Sequence, residues 1–217
     1  MARRLRRRTS YRRRRTARRT SRRNYKSIRR PKSRVKSFSI RRSTGSTQIV
    51  HAAGAGGTPY YAGLQFQLSD LTNVSEFTNL FQQYRINCVV VSLIPNYNIN
   101  QIPASGTGTN IPIIGWVQDF DDGSNPTSVP ELQEYQRYKE RKFTGPIKIK
   151  IWPAVSSLVF SSAGVDGFAV KKKMWIRTDV TTVKHYGLKY CVYNMAANQN
   201  YVWNIRYTMY ASFKETK

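Results

Sequence analysis

The chain has 217 residues and a formal net charge of +26, and this charge is spread very unevenly. Residues 1–42 contain 18 Arg and 3 Lys and no acid, whereas residues 43–217 carry 16 Lys and Arg against 11 acids. So dense a run of like charges repels itself and has almost nothing apolar to bury, while 175 residues suffice for one domain with a core. We therefore predict a disordered basic arm, 1–42, and a folded body, 43–217.

The arm carries the chemistry of a polyanion-binding segment. Arginine binds phosphate bidentately and its plane stacks on bases, and two interleaved tyrosines can stack on unpaired bases. A segment without a fixed fold cannot read bases, so we expect phosphate neutralisation without sequence preference, and the same clusters suit a nuclear-localisation signal. The residues assigned to DNA binding and nuclear localisation are Arg3, Arg4, Arg6, Arg7, Arg8, Arg12, Arg13, Arg14, Arg15, Arg18, Arg19, Arg22, Arg23, Arg29 and Arg30, and those assigned to base stacking are Tyr11 and Tyr25.

Other classes of basic segment fit poorly. A signal peptide needs an apolar stretch after its basic start, and a mitochondrial transit peptide needs an apolar helical face, but Leu5 is almost the only apolar side chain before Ser27. No apolar run approaches the length of a transmembrane helix, and no amphipathic face supports binding to an anionic membrane. Nucleic acid is therefore the expected partner.

Signals of catalysis are weak, and we predict neither an enzyme nor a cofactor. The two histidines, His51 and His185, have no partner nearby in sequence, and the motifs of zinc proteases, esterases and phosphate-binding loops are missing. Cys88 and Cys191 each lie in an apolar, strand-like run, which favours buried free thiols over a disulfide framework.

Three aspartates from Asp119 to Asp122, followed by Gly123, resemble a fragment of a calcium-binding loop. The ligand positions further along are missing, so we favour a solvated turn at the end of a strand and leave ion binding there open.

The body is rich in aromatic residues, Val and Ile and poor in Leu, Ala and Glu, which favours strands. In the segment 146–153 isoleucines alternate with lysines, and in the last strand aromatic and apolar residues alternate with polar ones. The segment Tyr84–Ile94 is apolar on both faces and is predicted to be a central strand. The eight predicted strands are Thr44–Val50, Tyr60–Leu68, Tyr84–Ile94, Ile111–Phe120, Pro146–Pro153, Phe168–Arg177, Val183–Tyr193 and Tyr201–Lys214.

Two short helices are predicted between these strands. The first spans Asn73–Gln82 and could be capped by Asn73 or Ser75; the second starts at the capping box Ser128–Glu131 and runs to about Tyr138. Long loops imply strands that cross between two sheets, so the predicted fold is all-β: one eight-stranded jelly-roll β-sandwich with short helices in its loops, preceded by the arm.

The body contains one further set of basic residues with two open interpretations. They either extend the arm's basic surface on the interior of an assembly or are ordinary solvated lysines. The set comprises Lys148, Lys150, Lys171, Lys172 and Lys173.

One segment of the body resembles a known family. It combines an aromatic residue, Tyr-Arg-Ile, a Val-x-Val pair and a closing proline, at Phe81, Tyr84, Arg85, Ile86, Val89, Val91 and Pro95. This pattern, after an Arg-rich N-terminus and before an aromatic final strand, resembles the capsid proteins of circular, Rep-encoding single-stranded DNA viruses, the circovirus-like group.

The resemblance implies a structural protein that self-assembles into a small icosahedral T=1 shell of 60 copies around circular single-stranded DNA. It implies inward-pointing arms that also engage the host nuclear import machinery, location in the virion and the host nucleus, and an unknown host-cell receptor. Loops such as Asn96–Asn110 would lie on the outer surface.

The alternative is a cellular nucleic-acid-binding protein of ribosomal or chromatin type with a basic tail. Such a protein would need base-reading chemistry on the folded body, and a body charge of only +5 argues against it. An enzyme of the cupin kind would need a cluster of metal-binding histidines, which two isolated histidines cannot form.

Overall fold

The computed structural model describes residues 37–54, 56–96, 110–162 and 165–217. The chain divides into two units between Arg34 and Val35, and every described residue belongs to the second unit. The assigned arginines and tyrosines of the arm, and most of the loop Asn96–Asn110, lie outside the described residues.

The described residues are mostly β-strands. The helices are the 3₁₀ turn Leu68–Asp70, α1 (Ser75–Thr78) and α2 (Val129–Gln133). The twelve strands found in this part of the chain are β1 (Phe38–Ser43), β2 (Thr47–Ala52), β3 (Tyr60–Phe66), β4 (Phe81–Pro95), β5 (Ile113–Val117), β6 (Lys139–Lys142), β7 (Ile147–Ile151), β8 (Ala154–Ser162), β9 (Val165–Lys172), β10 (Ile176–Arg177), β11 (His185–Tyr193) and β12 (Asn200–Thr216).

The strands form two six-stranded antiparallel sheets. In sheet A, β1 and β2 pair along β12, β12 pairs with β4, and β4 pairs with β7 and β10. In sheet B, β3 and β5 flank β11 and β6 pairs with β5, while β8 and β9 form a hairpin beside β11.

The eight-stranded jelly roll is confirmed within this arrangement. If β1 and β2 count as one interrupted strand, the four-strand orders are β1/β2–β12–β4–β7 and β3–β11–β5–β6, which is the jelly-roll order. The hairpin β8–β9 and the short β10 are additions between β7 and β11.

The core lies between the two sheets and consists of inward-facing side chains from both. Alternation of β12 directs Trp203 and Phe213 inward, and Tyr84 of β4 and Tyr190 of β11 meet them; all four are fully buried. Burying one such side chain contributes about 1.5–3 kcal/mol to folding stability. The core therefore accounts for the packing of the two sheets against each other. The central position predicted for the Tyr84–Ile94 strand is confirmed, because β4 pairs on both edges.

The first strand begins inside the segment predicted as arm. Residues 38–42 pair with β12, with Phe38 opposite Phe213. The Phe38 ring stacks on Phe81 at a centroid separation of 5.8 Å, and Ile40 packs against the core. Apolar side chains at alternate positions therefore hold this Arg-containing stretch in the sheet.

The first helix is much shorter than predicted. Asn73 has a positive φ of 59° and cannot cap it, and the cap residue, Val74, provides no side-chain hydrogen bond. Its predicted last turn instead opens β4 at Phe81, which packs on Phe213. The second helix has the predicted cap: the Ser128 hydroxyl accepts from the Glu131 amide at 3.2 Å, but α2 ends at Gln133.

Three strands were not predicted, because β6 and β8 lack an alternating pattern and the charges of β1 outweigh its two alternating apolar residues. All four residues of β6 are exposed and charged, β8 is rich in Ser, and β1 resembles the arm. The stretch predicted as one strand or a pair, Phe168–Arg177, contains the end of β9 and all of β10.

Both cysteines are free and buried, Cys88 in sheet A and Cys191 in sheet B. None of the helices in the described ranges is long and apolar enough to cross a membrane.

Candidate nucleic-acid interface

The outer face of sheet A, which points away from the core, is strongly basic. On β12 and β7, the alternation that directs apolar residues inward directs polar residues outward. Besides Arg177 of β10, which is ion-paired with Asp179 at 2.6 Å, the outward face carries seven cations: Arg41, Arg85, Lys148, Lys150, Lys173, Arg206 and Lys214. Among described residues, only Lys214 of this set forms an ion pair, with Glu215 at 3.2 Å. We call this surface the open face of sheet A.

Aromatic rings are interleaved with these cations. The Arg41 guanidinium lies 5.9 Å from the ring centroid of Tyr210, and the Lys150 ammonium lies 5.3 Å from that of Trp152. Trp175 is contacted by two cations, Arg85 at 4.5 Å and Lys214 at 4.8 Å. Cations beside flat rings can engage both the phosphates and the bases of a single strand.

Hydroxyl groups fix β1 onto this face. Ser39 shares a hydrogen bond with Ser212 at 2.9 Å, and Ser43 shares one with Thr208 at 3.0 Å. The Asn87 amide donates to Ser212 at 2.7 Å. The first described strand, which follows the basic arm in sequence, therefore forms the edge of the open face.

A groove of about 410 Å³ lies within the open face. The residues that line it come from β1, β4, β7 and β12, from the position just after β7, and from the turn after β9, where Lys173 has a positive φ of 55°. They are Ser39, Ile40, Asn87, Cys88, Val90, Lys150, Trp152, Lys173, Tyr210 and Ala211. We call it the Trp152 groove.

The outer face of sheet B is covered. Val117 of β5 and Cys191 of β11 are buried under Leu132 of α2 in a second small core. Burial raises the pKa of the Cys191 thiol to about 11, so the thiol stays protonated. Tyr193 donates to Glu140 at 2.6 Å on the same side. The part of this face formed by β5 and β11 is therefore closed by α2 and the adjoining segments.

The aspartates of the predicted turn hold a lysine. The Lys189 ammonium lies 2.8 Å from Asp119 and 2.6 Å from Asp122, and the Lys189 and Asp119 side chains are about 95% buried. The hydrogen bond from Lys189 lowers the pKa of Asp122 more than burial raises it. Burial disfavours the charge of Lys189, but its bonds to both carboxylates outweigh this and raise its pKa. An internal ammonium therefore stands where a bound cation was considered.

No cluster of three or more potential metal ligands is found among the described residues. His185 is buried in β11 and its Nδ1 lies 2.9 Å from the Val183 carbonyl oxygen, while His51 Nε2 lies 2.9 Å from the Thr58 carbonyl oxygen. Both histidines have local structural partners.

The five lysines set apart in the sequence fall into two groups. Lys148 and Lys150 of β7 lie on the open face of sheet A, and Lys173 joins Lys150 in the Trp152 groove. Lys171 and Lys172 lie on β9 of sheet B, where the Lys172 ammonium packs 3.8 Å from the Phe120 ring centroid.

Several members of the open face were not singled out from the sequence. Arg206 and Tyr210 occupy polar-face positions of β12, and alternation alone identifies their side. Arg41 falls within the segment 1–42 predicted to be the arm, so the sequence does not assign it to a sheet. Trp152 and Trp175 lie beyond strand ends; the alternation of Lys148 and Lys150 in the predicted strand Pro146–Pro153 continues to Trp152, whereas no spacing rule assigns Trp175 to this face.

A comparison with protein-family models matches residues 2–217 to the circovirus capsid protein family. No curated protein sequence matches the chain at a significant level. Among solved structures, the 60-mer form of the BFDV capsid protein is similar with a TM-score of 0.64 at 15% identity, covering 83% of this chain and 94% of that chain. The decameric form has a TM-score of 0.55 at 17% identity, covering 83% and 100%.

A chain of the cucumber necrosis virus crystal structure is also similar, with a TM-score of 0.50 at 12% identity, covering 83% of this chain and 57% of that chain. At these identities the structural likeness concerns the fold, which is the jelly roll of viral shell subunits. The family match spans nearly the whole sequence, and the chain belongs to the circovirus capsid protein family. It is a structural protein of the virion that self-associates into a shell, and it is not an enzyme.

Proposed function

We propose that the chain packages circular single-stranded DNA inside a shell of 60 copies, using its basic arm together with the open face of sheet A. The observation that carries the proposal is the open face itself. It has seven cations and interleaved aromatic rings, and β1 leads into it directly from the arm in sequence.

The charge of the arm is large enough to neutralise much of a packaged genome when many copies act together. If each arm neutralises about 21 phosphates, 60 copies neutralise on the order of 1,300, and the open faces add to this total. Small cations balance the remaining phosphates. Sixty copies is the simplest icosahedral arrangement, and it is the number stated for the BFDV capsid protein in its 60-mer form.

The hairpin β8–β9 supports contact between copies. Leu158 lies opposite Phe168, Val170 shares their face, and these side chains are 52%, 62% and 42% exposed. β8 pairs with β11 at one position, Tyr186 opposite Ala154, and a two-stranded ribbon alone is marginally stable in water. We propose that a second copy covers this apolar surface. Replacing Leu158 and Phe168 with Ser should abolish particles in size-exclusion chromatography while far-UV circular dichroism stays unchanged.

The arginine clusters are also proposed to act as the nuclear-localisation signal that the host import machinery binds. A full-length fluorescent fusion should accumulate in the nucleus, and replacing Arg12–Arg15 with Gln should reduce the nuclear fraction. An unchanged distribution would contradict this assignment.

The packaging proposal is tested by the salt dependence of binding to oligothymidylate, measured by fluorescence anisotropy with the full chain. Contact by the arm alone gives a log–log slope of up to about −15, and replacing Arg12–Arg15 with Gln should reduce its magnitude by about 3.

The control replaces three exposed cations of β6, Lys139, Arg141 and Lys142, with Gln, one fewer than the arm variant, and it should leave the slope nearly unchanged. Equal effects of the two variants, or binding that does not depend on salt, would contradict the proposal.

A further inference from the structure

The Trp152 groove combines the groups that a single nucleotide requires. Two ammonium groups, from Lys150 and Lys173, can bind a phosphate, and the indole of Trp152 is 43% exposed and can stack on a base. None of the described residues that line the groove is acidic. Its volume of about 410 Å³ lies in the range of small-ligand sites.

Two ammonium groups line the groove from different elements. Lys150 comes from β7, and Lys173 comes from the turn after β9, where its φ is positive. Burial raises the pKa of the Cys88 thiol in the same groove, and the positive charges of both lysines oppose that rise. Elements from both sheets therefore bring two cations to the same groove.

The groove is also held in shape by contacts within the protein. The Asn87 amide is fixed by its bond to Ser212, which in turn contacts Ser39 across β12 and β1. Tyr210 lies two positions before Ser212 on β12, and the Arg41 guanidinium lies 5.9 Å from its ring centroid. The site is preorganised by its strands, which reduces the cost of ordering it on binding.

We propose that the Trp152 groove binds one nucleotide of single-stranded DNA, with the base against Trp152 and the adjacent phosphate on Lys150 and Lys173. This rests on the proposed packaging function and deepens it, because it gives the folded body its own contact with the strand. In a duplex the bases are stacked on each other and cannot reach the indole, so the groove selects single strands.

The first test maps contacts by photo-crosslinking. The full chain is irradiated with oligothymidylate that contains iodouracil, and the crosslinked residues are identified by mass spectrometry. Crosslinks at Trp152 or Tyr210 are expected. Binding with crosslinks only outside the groove would overturn the groove but leave the packaging proposal standing, whereas no binding at all would overturn both.

The second test separates base stacking from phosphate binding. Affinities for oligothymidylate and for an abasic strand of equal length are compared at a salt concentration that weakens the arm. Trp152→Ala should lower oligothymidylate affinity roughly tenfold and leave abasic-strand affinity unchanged, and Trp152→Phe should restore most of the loss. Equal losses on both strands would overturn the stacking role.

Phosphate binding is tested with a matched pair of double variants of equal charge. Lys150→Met with Lys173→Met should reduce the magnitude of the salt slope by about 0.7, because the one phosphate that the two lysines share is no longer neutralised. Lys171→Met with Lys172→Met, on β9 outside the groove, should change it far less. Equal changes from the two pairs would show that the lysines act only through general charge and would overturn the groove as a phosphate site.

Discussion

The two sheets bury the same core but differ on their outer faces. On sheet B, α2 and its flanking loops cover the face, and the buried charge of Lys189 is neutralised internally by Asp119 and Asp122. On sheet A, the segment around Lys173 and Trp175 lies over only part of the face, and the strands of that sheet contain eight Lys and Arg but one acid, Glu215. A sandwich can thus keep its charge balanced on one side and leave it unbalanced, available to a polyanion, on the other.

The largest expected effect concerns the neutralised charge of sheet B. Lys189→Met leaves Asp119 buried without its partner, and breaking such a pair costs roughly 3–5 kcal/mol. The unfolding free energy of the variant, measured by urea denaturation, should fall by this amount. Lys184→Met, an exposed lysine just before the same strand, should change it by less than about 0.5 kcal/mol. Equal unfolding free energies of the two variants would contradict the claim that Lys189 neutralises a buried charge in sheet B.

The next effect concerns DNA affinity. Reversing two exposed cations of the open face, Lys148→Glu and Arg206→Glu, should weaken oligothymidylate binding roughly tenfold, because two phosphate contacts become repulsive. The same reversal at Lys139 and Arg141 of β6, in sheet B, should have a much smaller effect. The affinities of the two double variants for oligothymidylate are compared by anisotropy titration at one fixed salt concentration. Equal losses of affinity would mean that only the net charge of the body matters.

A smaller effect tests the cover of sheet B. The Ser128 hydroxyl caps α2, and removing an N-cap costs about 1 kcal/mol. Ser128→Ala should therefore lower the midpoint of urea unfolding slightly and leave the DNA salt slope unchanged. A changed slope would show that the covered face also meets DNA.

The smallest expected effect is the pH dependence that His185 adds to sheet B. Burial lowers its pKa in the folded state, so as the pH falls the unfolded chain binds the proton first. Stability should therefore decrease from about pH 7 towards pH 5, and His185→Gln should flatten this part of the profile. A profile that is equally steep in both proteins would assign the acid sensitivity to another group.

The fold was predictable where alternation is clean. The isoleucines of β7 and the aromatic residues of β12 identified their strands and their inward faces, because one buried face imposes a period of two. Strand β6 could not be found this way, because all of its residues are exposed and charged. Strand β1 was assigned to the arm because local charge outweighs the two apolar residues, Phe38 and Ile40, that pair it with the sheet.

The candidate site was predictable only in part. Lys148 and Lys150 were found from their alternation with isoleucines, but Lys173 reaches the same groove through a left-handed turn that no pattern in the sequence indicates. The partner of Asp119 lies 70 positions away at Lys189, so the aspartates resembled an ion-binding turn. Contacts between distant strands depend on topology, which local spacing does not contain.

The most direct test is the position of DNA in purified particles, determined by electron cryomicroscopy with the full chain. We expect the strand to lie against the open face of sheet A, with a base-sized density beside Trp152, and the face of sheet B under α2 to point away from the genome. DNA density against α2 and sheet B, with the open face of sheet A turned to the outside of the particle, would contradict it.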